Sequence, residues 1–450
     1  MKRILCFISL LLVLLSCSDN DTFTTSTSAR LSFSTDTVKM DTVFSGIGSS
    51  TYSFWVFNYS GDGIRIESVR LAKGNQTGFR ANVDGSYLDN ALGSVVNNLE
   101  VRKGDSIRVF VELTAAYNHQ ETAQALEDAL VFKLESGVEQ SVSLQGVAWD
   151  ALLLKDLTIN SDTLIKSSKP LVVYGGIKVQ PNVTLTLHNT TLYFHDQAGI
   201  DVYGKLLTDS VLMRGDRLDH MFAYLPYDRV SGQWKGIRFY ASSYGNELLN
   251  TEVRNATNAV VCDSSEYGNT PDKLRLYMEK CVVHNSKGNG VETNNAFVGL
   301  VDCQLTNALG DCVAVYGGAA VINGCTLGQF YPFSANRGVA LRFSNKKGNY
   351  NYPLEMLQMT GSIVTGYADD EVMGDAGDVN VLFDYDFDNC LLRTPEVNDT
   401  ARFSSIIWEK TTDEIQGKKH FVLIDETNFI YDFHLDSLST AKGLGCFRTQ

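Results

Sequence analysis

The chain has 450 residues, of which 44% are hydrophobic, so it is long enough for two or three domains with buried cores. Its formal net charge of -14 would repel a polyanion, which argues against nucleic acid as a partner. Glycine (37 residues) far outnumbers proline (7), and only 20% of the residues are charged. This composition favours short strands joined by turns over helices.

The first 17 residues predict a secretion signal. Lys2 and Arg3 precede an apolar run over residues 4–15, which is too short to span a bilayer as a mature helix. The run ends in Leu-Leu-Ser-Cys, which resembles a bacterial lipobox, the motif whose cysteine is acylated before cleavage makes it the new N-terminus. The resemblance implies a membrane anchor of two or three acyl chains on Cys17. The alternative is an ordinary secretory signal with an incidental cysteine.

Residues 18–29 predict a short polar tether. The residue after Cys17 is Ser18 and not the aspartate that retains some lipoproteins in the inner membrane. The acidic stretch at residues 18–21 resembles the export signal of lipoproteins that certain Gram-negative anaerobes place on their outer face. These resemblances imply a lipid-anchored protein of the outer membrane, exposed at the cell surface.

Residues 30–150 predict an all-β module. Apolar and polar residues alternate in short runs, among them residues 52–56, 64–66, 107–112 and 142–144, with turn residues between them. Strands of period two at short spacing are typical of a β-sandwich. The order of these runs resembles the immunoglobulin-like modules that precede larger domains in bacterial surface proteins.

Residues 151–446 contain a repeat of 22 residues. Three apolar columns keep this spacing: Met278, Leu300 and Ile322; Cys281, Cys303 and Cys325; Val283, Leu305 and Leu327. The period is too short for a propeller blade and lacks the leucine-rich consensus. It predicts coils of three short strands, with neighbouring coils about 4.8 Å apart, as in a right-handed parallel β-helix. Asn285 and Asn307, one period apart, predict an asparagine ladder at a turn.

The cysteine column could hold disulfides or a metal, or it could be an inward ladder of small apolar side chains. Seven cysteines remain after Cys6 and Cys17 are set aside, so at least one thiol per monomer is unpaired. Because the column lies between two other apolar columns, we favour the buried ladder.

Three segments resemble bacterial β-helix proteins. Residues 199–206 resemble their G-I-x-V-x-G-x-L coil, residues 232–239 their W-x-G-I strand, and residues 431–439 their closing D-F-x-L segment, although Thr440 stands where proline is usual. The chain is thus similar to surface lipoproteins of the right-handed parallel β-helix repeat group. The resemblance implies an all-β protein in which a pectate-lyase-like solenoid follows an immunoglobulin-like domain.

A stretch of charged and aromatic residues interrupts the coils between residues 214 and 234. Carbohydrate clefts mix these residue types, because sugar faces stack on aromatic rings while polar groups bind hydroxyls. The alternative is a loop that covers one side of the solenoid and buries its own aromatics. The candidate ligand-binding residues are Arg214, Asp216, Arg217, Asp219, His220, Tyr224, Tyr227 and Trp234.

Two acidic segments are weaker candidates. Asp384, Asp386 and Asp388 would share one strand face and could bind calcium, although a single strand seldom completes an oxygen shell. Residues 369–378 carry loop carboxylates that could act on glycosidic bonds. No cofactor other than calcium is indicated.

A recurring Asp-Ser/Thr-aliphatic (or Ala) tripeptide resembles the O-glycosylation sequon of some Gram-negative anaerobes, although Asp-Ser and Asp-Thr are also common at turns. The hydroxyl positions are Thr37, Thr42, Ser106, Thr163, Ser210, Thr400 and Ser437.

The leading hypothesis is therefore a lipid-anchored surface protein that binds a polysaccharide or a surface partner without catalysis. A polysaccharide lyase or glycoside hydrolase that uses loop carboxylates is one alternative. A structural or adhesive stalk is the other.

Overall fold

The computed structural model describes residues 22–222, 224–264, 273–410 and 414–447. The chain divides into two compact units at Asp150 and Ala151. Cys17 and the rest of the signal segment lie outside the described residues. Within the described ranges, no helix is both long and apolar enough to cross a membrane.

The first unit consists of two five-stranded sheets, with strand orders β1-β3-β8-β5-β6 and β2-β10-β9-β4-β7. Ile107, Val109 and Val111 of β8 point into a core shared with residues of the other sheet, and the residues between them point outward. This alternation builds the sandwich-like arrangement that the period-two pattern predicts. The strands are β1 Ser32–Phe33, β2 Thr37–Phe44, β3 Tyr52–Phe57, β4 Ile64–Leu71, β5 Phe79–Val83, β6 Ser86–Tyr87, β7 Val95–Val101, β8 Ser106–Leu113, β9 Gln124–Leu134 and β10 Glu139–Trp149, with a 3-10 turn at Asn90–Leu92.

The second unit is built on a large solenoid-like parallel sheet. The first half of this sheet contains β11 Leu152–Ile159, β12 Thr163–Ile165, β13 Leu171–Val179, β14 Thr184–Phe194, β15 Ile200–Val202, β16 Lys205–Gly215, β19 Ile237–Phe239, β20 Asn246–Leu249, β21 Glu252–Arg254, β22 Val260–Cys262 and β23 Leu274–Glu279. The second half contains β24 Val282–Ser286, β25 Val291–Val301, β26 Gln304–Ala308, β27 Val313–Asn323, β28 Thr326–Gln329, β29 Leu341–Ser344, β32 Leu354–Thr360, β33 Ile363–Gly366, β34 Val372–Asp375, β35 Phe383–Asp388, β36 Leu391–Leu392, β37 Phe403–Ser404 and β38 Ile407–Trp408.

Three antiparallel hairpins and two short helical segments lie outside this sheet. They are β17 His220–Phe222 with β18 Leu225–Pro226, β30 Lys346–Lys347 with β31 Tyr350–Asn351, β39 Phe421–Asp425 with β40 Ile430–Leu435, a 3-10 turn at Tyr227–Arg229, and α1 Glu414–Lys419.

The 22-residue columns run through the core in register. Met278 pairs with Leu300 and Leu300 with Ile322, each one coil further along. All three side chains are buried in one continuous cluster that runs the length of the solenoid. The repeat therefore marks the inward-facing positions, as the spacing predicts.

Asparagines occupy the same corner in three successive coils, directly after β21 and within β24 and β26. Asn255, Asn285 and Asn307 adopt left-handed backbone conformations, with φ between 56° and 62°, and all three are buried. Asparagine tolerates this conformation better than most residues because its short side chain can hydrogen-bond locally. The asparagines therefore recur at one turn in three successive coils, and the ladder of hydrogen bonds between their side chains stays a prediction.

The cysteine column faces the core. Cys281, Cys303 and Cys325 are buried, and none of the seven cysteines in the described residues forms a disulfide. The Cys281 thiol lies 3.1 Å from the carbonyl oxygen of Leu248, and the Cys325 thiol 3.4 Å from that of Leu300. The column is a packing ladder, in agreement with the buried interpretation of the sequence.

Candidate functional site

The charged and aromatic segment covers one side of the solenoid. Residues 216–234, here called the covering loop, leave the sheet after β16 and return at β19. Within the loop, Asp228 binds Arg214 of β16 at 2.8 Å and Arg254 of β21 at 3.2 Å. Burial would raise the pKa of Asp228, but the two guanidinium charges outweigh it and lower the pKa. The charged groups at this point therefore hold the loop to the sheet.

Trp234, at the end of the covering loop, is buried in the core. Its side chain is 1% exposed, stacks on Phe194 with ring centroids 4.2 Å apart, and donates from Nε1 to the carbonyl oxygen of Arg254 at 2.9 Å. The ring is enclosed by protein and has no face open to a ligand.

Other charged candidates are paired within the chain. His195 Nδ1 lies 2.7 Å from the Asp216 carboxylate, and Arg217 Nε donates to Asp219 at 2.8 Å. The Arg217 guanidinium also lies over the Tyr227 ring, 4.4 Å from its centroid. These pairs order the loop, and Asp216 and Asp219 are both buried.

Tyr224 is the candidate that faces solvent. It is 71% exposed and stacks on the exposed Phe222, with centroids 5.7 Å apart and planes at 12°. Both belong to the small hairpin of β17 and β18, which begins at His220. The hairpin thus presents aromatic rings to solvent, whereas the charges of the loop described above are paired within the chain.

The C-terminal hairpin covers the continuation of the same side. Phe421 and Phe433 pack with Phe330 in a separate apolar cluster outside the solenoid core. His284, outward on β24, lies under Tyr431 with ring centroids 5.5 Å apart. Burial lowers the pKa of His284 to about 3, so its ring is neutral at pH 7. The closing segment 431–439 is thus part of a lid over polar outward residues.

The acidic candidates do not converge. Asp384, Asp386 and Asp388 lie along β35 at exposed or half-buried positions, and no group of three or more His, Cys, Asp or Glu residues in the described ranges is arranged to hold a metal ion. Of the loop carboxylates, Glu371 is fully buried and accepts from the backbone N–H groups of Ala340 and Ala368. Asp378 instead accepts from Asn380 and Asn351 at the surface.

Each of the seven hydroxyl positions of the tripeptide is at least partly accessible. Ser210, Thr400 and Ser437 are exposed, and Thr37, Thr42, Ser106 and Thr163 are half-buried.

A groove of about 730 Å³ lies on a different side of the solenoid. Its floor is the parallel array of β13, β15, β19, β22 and β25, in which Lys178, Asp201, Arg238, Val261 and Glu292 are neighbours in register. The buried residues on either side of each point inward, so these five side chains point outward. Cations and carboxylates therefore alternate along the groove and are interrupted by one valine.

A second row of polar and aromatic groups forms the edge of the groove. Arg238 Nε donates to Asp263 at 2.9 Å, and Tyr240 donates to Asp201 at 3.1 Å. Tyr240 also stacks on Tyr203, with centroids 4.1 Å apart and planes at 10°. Burial raises the pKa of Tyr240, and the neighbouring Tyr203 and Asp201 raise it further, so the hydroxyl stays protonated. Lys178 lies over the Tyr203 ring and Arg238 over the Tyr240 ring, 5.0 and 5.1 Å from the centroids, so this edge holds charged donors and acceptors beside aromatic rings.

Glycines keep the opposite edge of the groove close to the backbone. Gly236 has φ 102°, and a Cβ there would lie 1.7 Å from the carbonyl oxygen of Asn258. A Cβ on Gly199 would lie 2.9 Å from the carbonyl oxygen of Gly236. Only glycine allows successive coils to approach so closely at this turn.

A Gly-Ile motif in the sequence marks this groove, although it does not keep the 22-residue period. Gly176, Gly199 and Gly236 each precede an isoleucine, an outward residue and a further apolar residue, and the outward residues are Lys178, Asp201 and Arg238. These motifs are separated by 23 and 37 residues, because the covering loop lies between the last two. A search at a fixed period of 22 therefore does not align them.

Comparisons with known proteins identify no family. No family model matches the chain, and no curated protein matches it. Among solved structures, the N-terminal domain of PorA is 15% identical over 26% of this chain and 97% of its own, with a TM-score of 0.20. A PapD-like domain of human CEP192 is 12% identical over 30% of this chain and 94% of its own, with a TM-score of 0.19. The Vibrio cholerae VesB protease is 13% identical over 26% and 31%, with a TM-score of 0.18. At these TM-scores, nothing about fold or function is drawn from them.

Proposed function

We propose that this protein is a lipid-anchored surface protein that binds an oligosaccharide in the groove without catalysis. The anchor in this proposal is Cys17, at the outer membrane. The first unit is an immunoglobulin-like domain, which the two-sheet sandwich supports. The second unit is a right-handed parallel β-helix, which the parallel coils and the motif resemblances support.

The observation that carries the proposal is the lining of the groove. Its volume lies within the range of about 300–1,000 Å³ typical of ligand sites, yet charged and polar groups predominate where most such sites are apolar. A sugar presents hydroxyls that both donate and accept, together with an apolar ring face. Asp201, Glu292, Arg238 and Lys178 match the hydroxyls, and Tyr240, which also lines the groove, adds an aromatic ring.

A lyase or hydrolase that acts in the same groove is the second candidate, because carboxylates and cations lie there together. The third is a stalk without a ligand. Binding without turnover supports the first proposal, product formation supports the second, and no binding to any glycan supports the third.

The experiment is a glycan array probed with the soluble protein, followed by calorimetry on each hit and an assay for unsaturated or reducing-end products. Arg238→Ala should weaken binding about tenfold or more, because it removes a charged hydrogen-bonding group. The matched control is Arg80→Ala, an exposed arginine on β5 of the first unit, which should bind as wild type does. Equal binding by both variants would contradict the groove as the site.

The anchor and the glycosylation positions are tested separately by intact mass of protein purified from its native membrane. Acyl chains on Cys17 should add mass that Cys17→Ala lacks, and this variant should leave the membrane fraction. A mass equal to that of the lipidated polypeptide alone would contradict glycosylation at the tripeptides.

A further inference from the structure

The hairpin of β30 and β31 follows β29, a strand on the same side of the solenoid as the groove. β29 pairs with β27, whose first half pairs with the first half of β25 in the groove floor. The hairpin follows β29 directly, and Lys347 stands opposite Tyr350 across its two strands. Residues directly opposite in an antiparallel pair share one face, so the two side chains lie on the same face of the hairpin.

Lys347 joins that face of the hairpin to the groove. Its ammonium donates to the Glu292 carboxylate at 2.5 Å and to Asn294 Oδ1 at 2.8 Å, and it lies over the Tyr316 ring, 4.9 Å from the centroid. At the base of the hairpin, Asn345 Nδ2 donates to the carbonyl oxygens of Asp378 and Val381, at 2.8 and 2.9 Å. Both ends of the hairpin are therefore fixed by hydrogen bonds.

Two parallel tyrosine rings lie at the end of this hairpin, one exposed and one half-buried. Tyr350 is 69% exposed and lies parallel to Tyr352, with ring centroids 6.2 Å apart and planes at 9°. The backbone N–H of Tyr352 donates to the carbonyl oxygen of Asn345 at 2.8 Å, which fixes the backbone at Tyr352. A large aromatic side chain in water forgoes the free energy that burial would give, so the exposed Tyr350 ring beside the half-buried Tyr352 marks this surface as a candidate contact site.

We infer that Tyr350 and Tyr352 are a stacking subsite for a distant ring of an oligosaccharide whose other units lie in the groove. This inference rests on the proposed function and adds the length of the ligand and its direction. Tyr240, Asp263, Asn294 and Tyr316 each follow the residues paired in register and so occupy equivalent positions in successive coils. Tyr240 and Tyr316 are therefore three strand spacings, or about 14 Å, apart. The ligand is a linear chain longer than a disaccharide that runs across the coils from Tyr240 to Tyr350.

The test measures affinity by calorimetry for one glycan series, from disaccharide to octasaccharide, chosen from an array hit. Tyr350→Ala should weaken binding of the longest members about three- to tenfold, the contribution of one aromatic contact, and leave the disaccharide unchanged. Tyr350→Phe keeps the ring and should bind every length as wild type does. Tyr59→Ala, which removes an exposed tyrosine stacked on Phe57 in the first unit, is the matched control and should change nothing.

The outcomes separate the two proposals. If wild type binds no glycan, the proposed function and this inference both fail. If wild type binds and Arg238→Ala weakens every length, but Tyr350→Ala binds long and short chains as wild type does, the groove stands and the stacking subsite is overturned. An equal loss at every length for Tyr350→Ala also overturns the subsite. Thermal unfolding of each variant excludes misfolding as the cause.

Discussion

Arg393 donates to Glu409 at 2.9 Å, and the two side chains are 0% and 1% exposed. The second carboxylate oxygen of Glu409 accepts from Thr365 Oγ1 at 2.6 Å, and Arg393 Nε donates to the carbonyl oxygen of Ala368 at 2.7 Å. The pair lies outside the apolar core, where β33, β36 and β38 succeed one another. This buried ion pair links the last coils of the solenoid.

Removal of one member of this pair should be costly. Glu409→Ala leaves the Arg393 charge buried without its carboxylate and should lower the free energy of unfolding by about 3–5 kcal/mol. The control is Glu426→Ala, which breaks a partly exposed pair with Lys418 and should cost about 1 kcal/mol or less. Urea unfolding followed by tryptophan fluorescence measures both. Similar losses for the two variants would contradict the role of the buried pair.

Glu371 should make stability depend on pH. Burial raises its pKa from 4.5 to about 8 in the folded protein. Between these values the unfolded chain has lost the proton and the folded chain keeps it, so stability should fall as pH rises through this window. Glu371→Gln cannot titrate and should show a flatter dependence between about pH 5 and 8. Parallel unfolding midpoints for wild type and variant across this range would refute the assignment.

The cysteine column should resist modification in the native protein. Burial raises the pKa of the Cys281 and Cys325 thiols well above the usual range, so both stay protonated and enclosed. Maleimide treatment with peptide mapping should show slow labelling of the buried cysteines, and denaturant should make all seven described cysteines reactive. Rapid native labelling of Cys303 would overturn the packing ladder.

Gly236 should not tolerate a side chain. Gly236→Ala places a Cβ against the Asn258 carbonyl in a backbone conformation that L-residues avoid, and we expect a loss of about 3 kcal/mol or more in unfolding free energy. Gly443→Ala also has positive φ, at 83°, but no atom lies within 4 Å of its Cβ, so it should cost about 1 kcal/mol. A smaller loss at Gly236 than at Gly443 would contradict the close approach of the coils.

Much of the fold follows from local pattern. The columns of Met278 and Cys281 predict inward positions because stacked coils repeat the same environment at a constant period. The sandwich follows from strict alternation, as in β8. The groove is not predicted by a constant period. Arg238 lies in register with Lys178 and Asp201, but the inserted covering loop lengthens its spacing from Asp201 in the sequence. Residues 214–234 attract attention by composition, yet sequence alone does not distinguish charges that bind a ligand from charges such as Asp228 that neutralise each other.

The segment that follows β28 joins the covering loop to the C-terminal hairpin. Ser231 of the covering loop lies 2.8 Å from the Tyr331 hydroxyl, and Phe333 stacks on Phe429 at the turn of the C-terminal hairpin, with centroids 5.0 Å apart. In a solenoid without such covers, each coil contacts only its neighbours, so the coils can unfold one at a time. Here the C-terminal hairpin is tied to coils that come much earlier in the sequence. The second unit should therefore melt as one cooperative body and give a protease few partly opened states to cut.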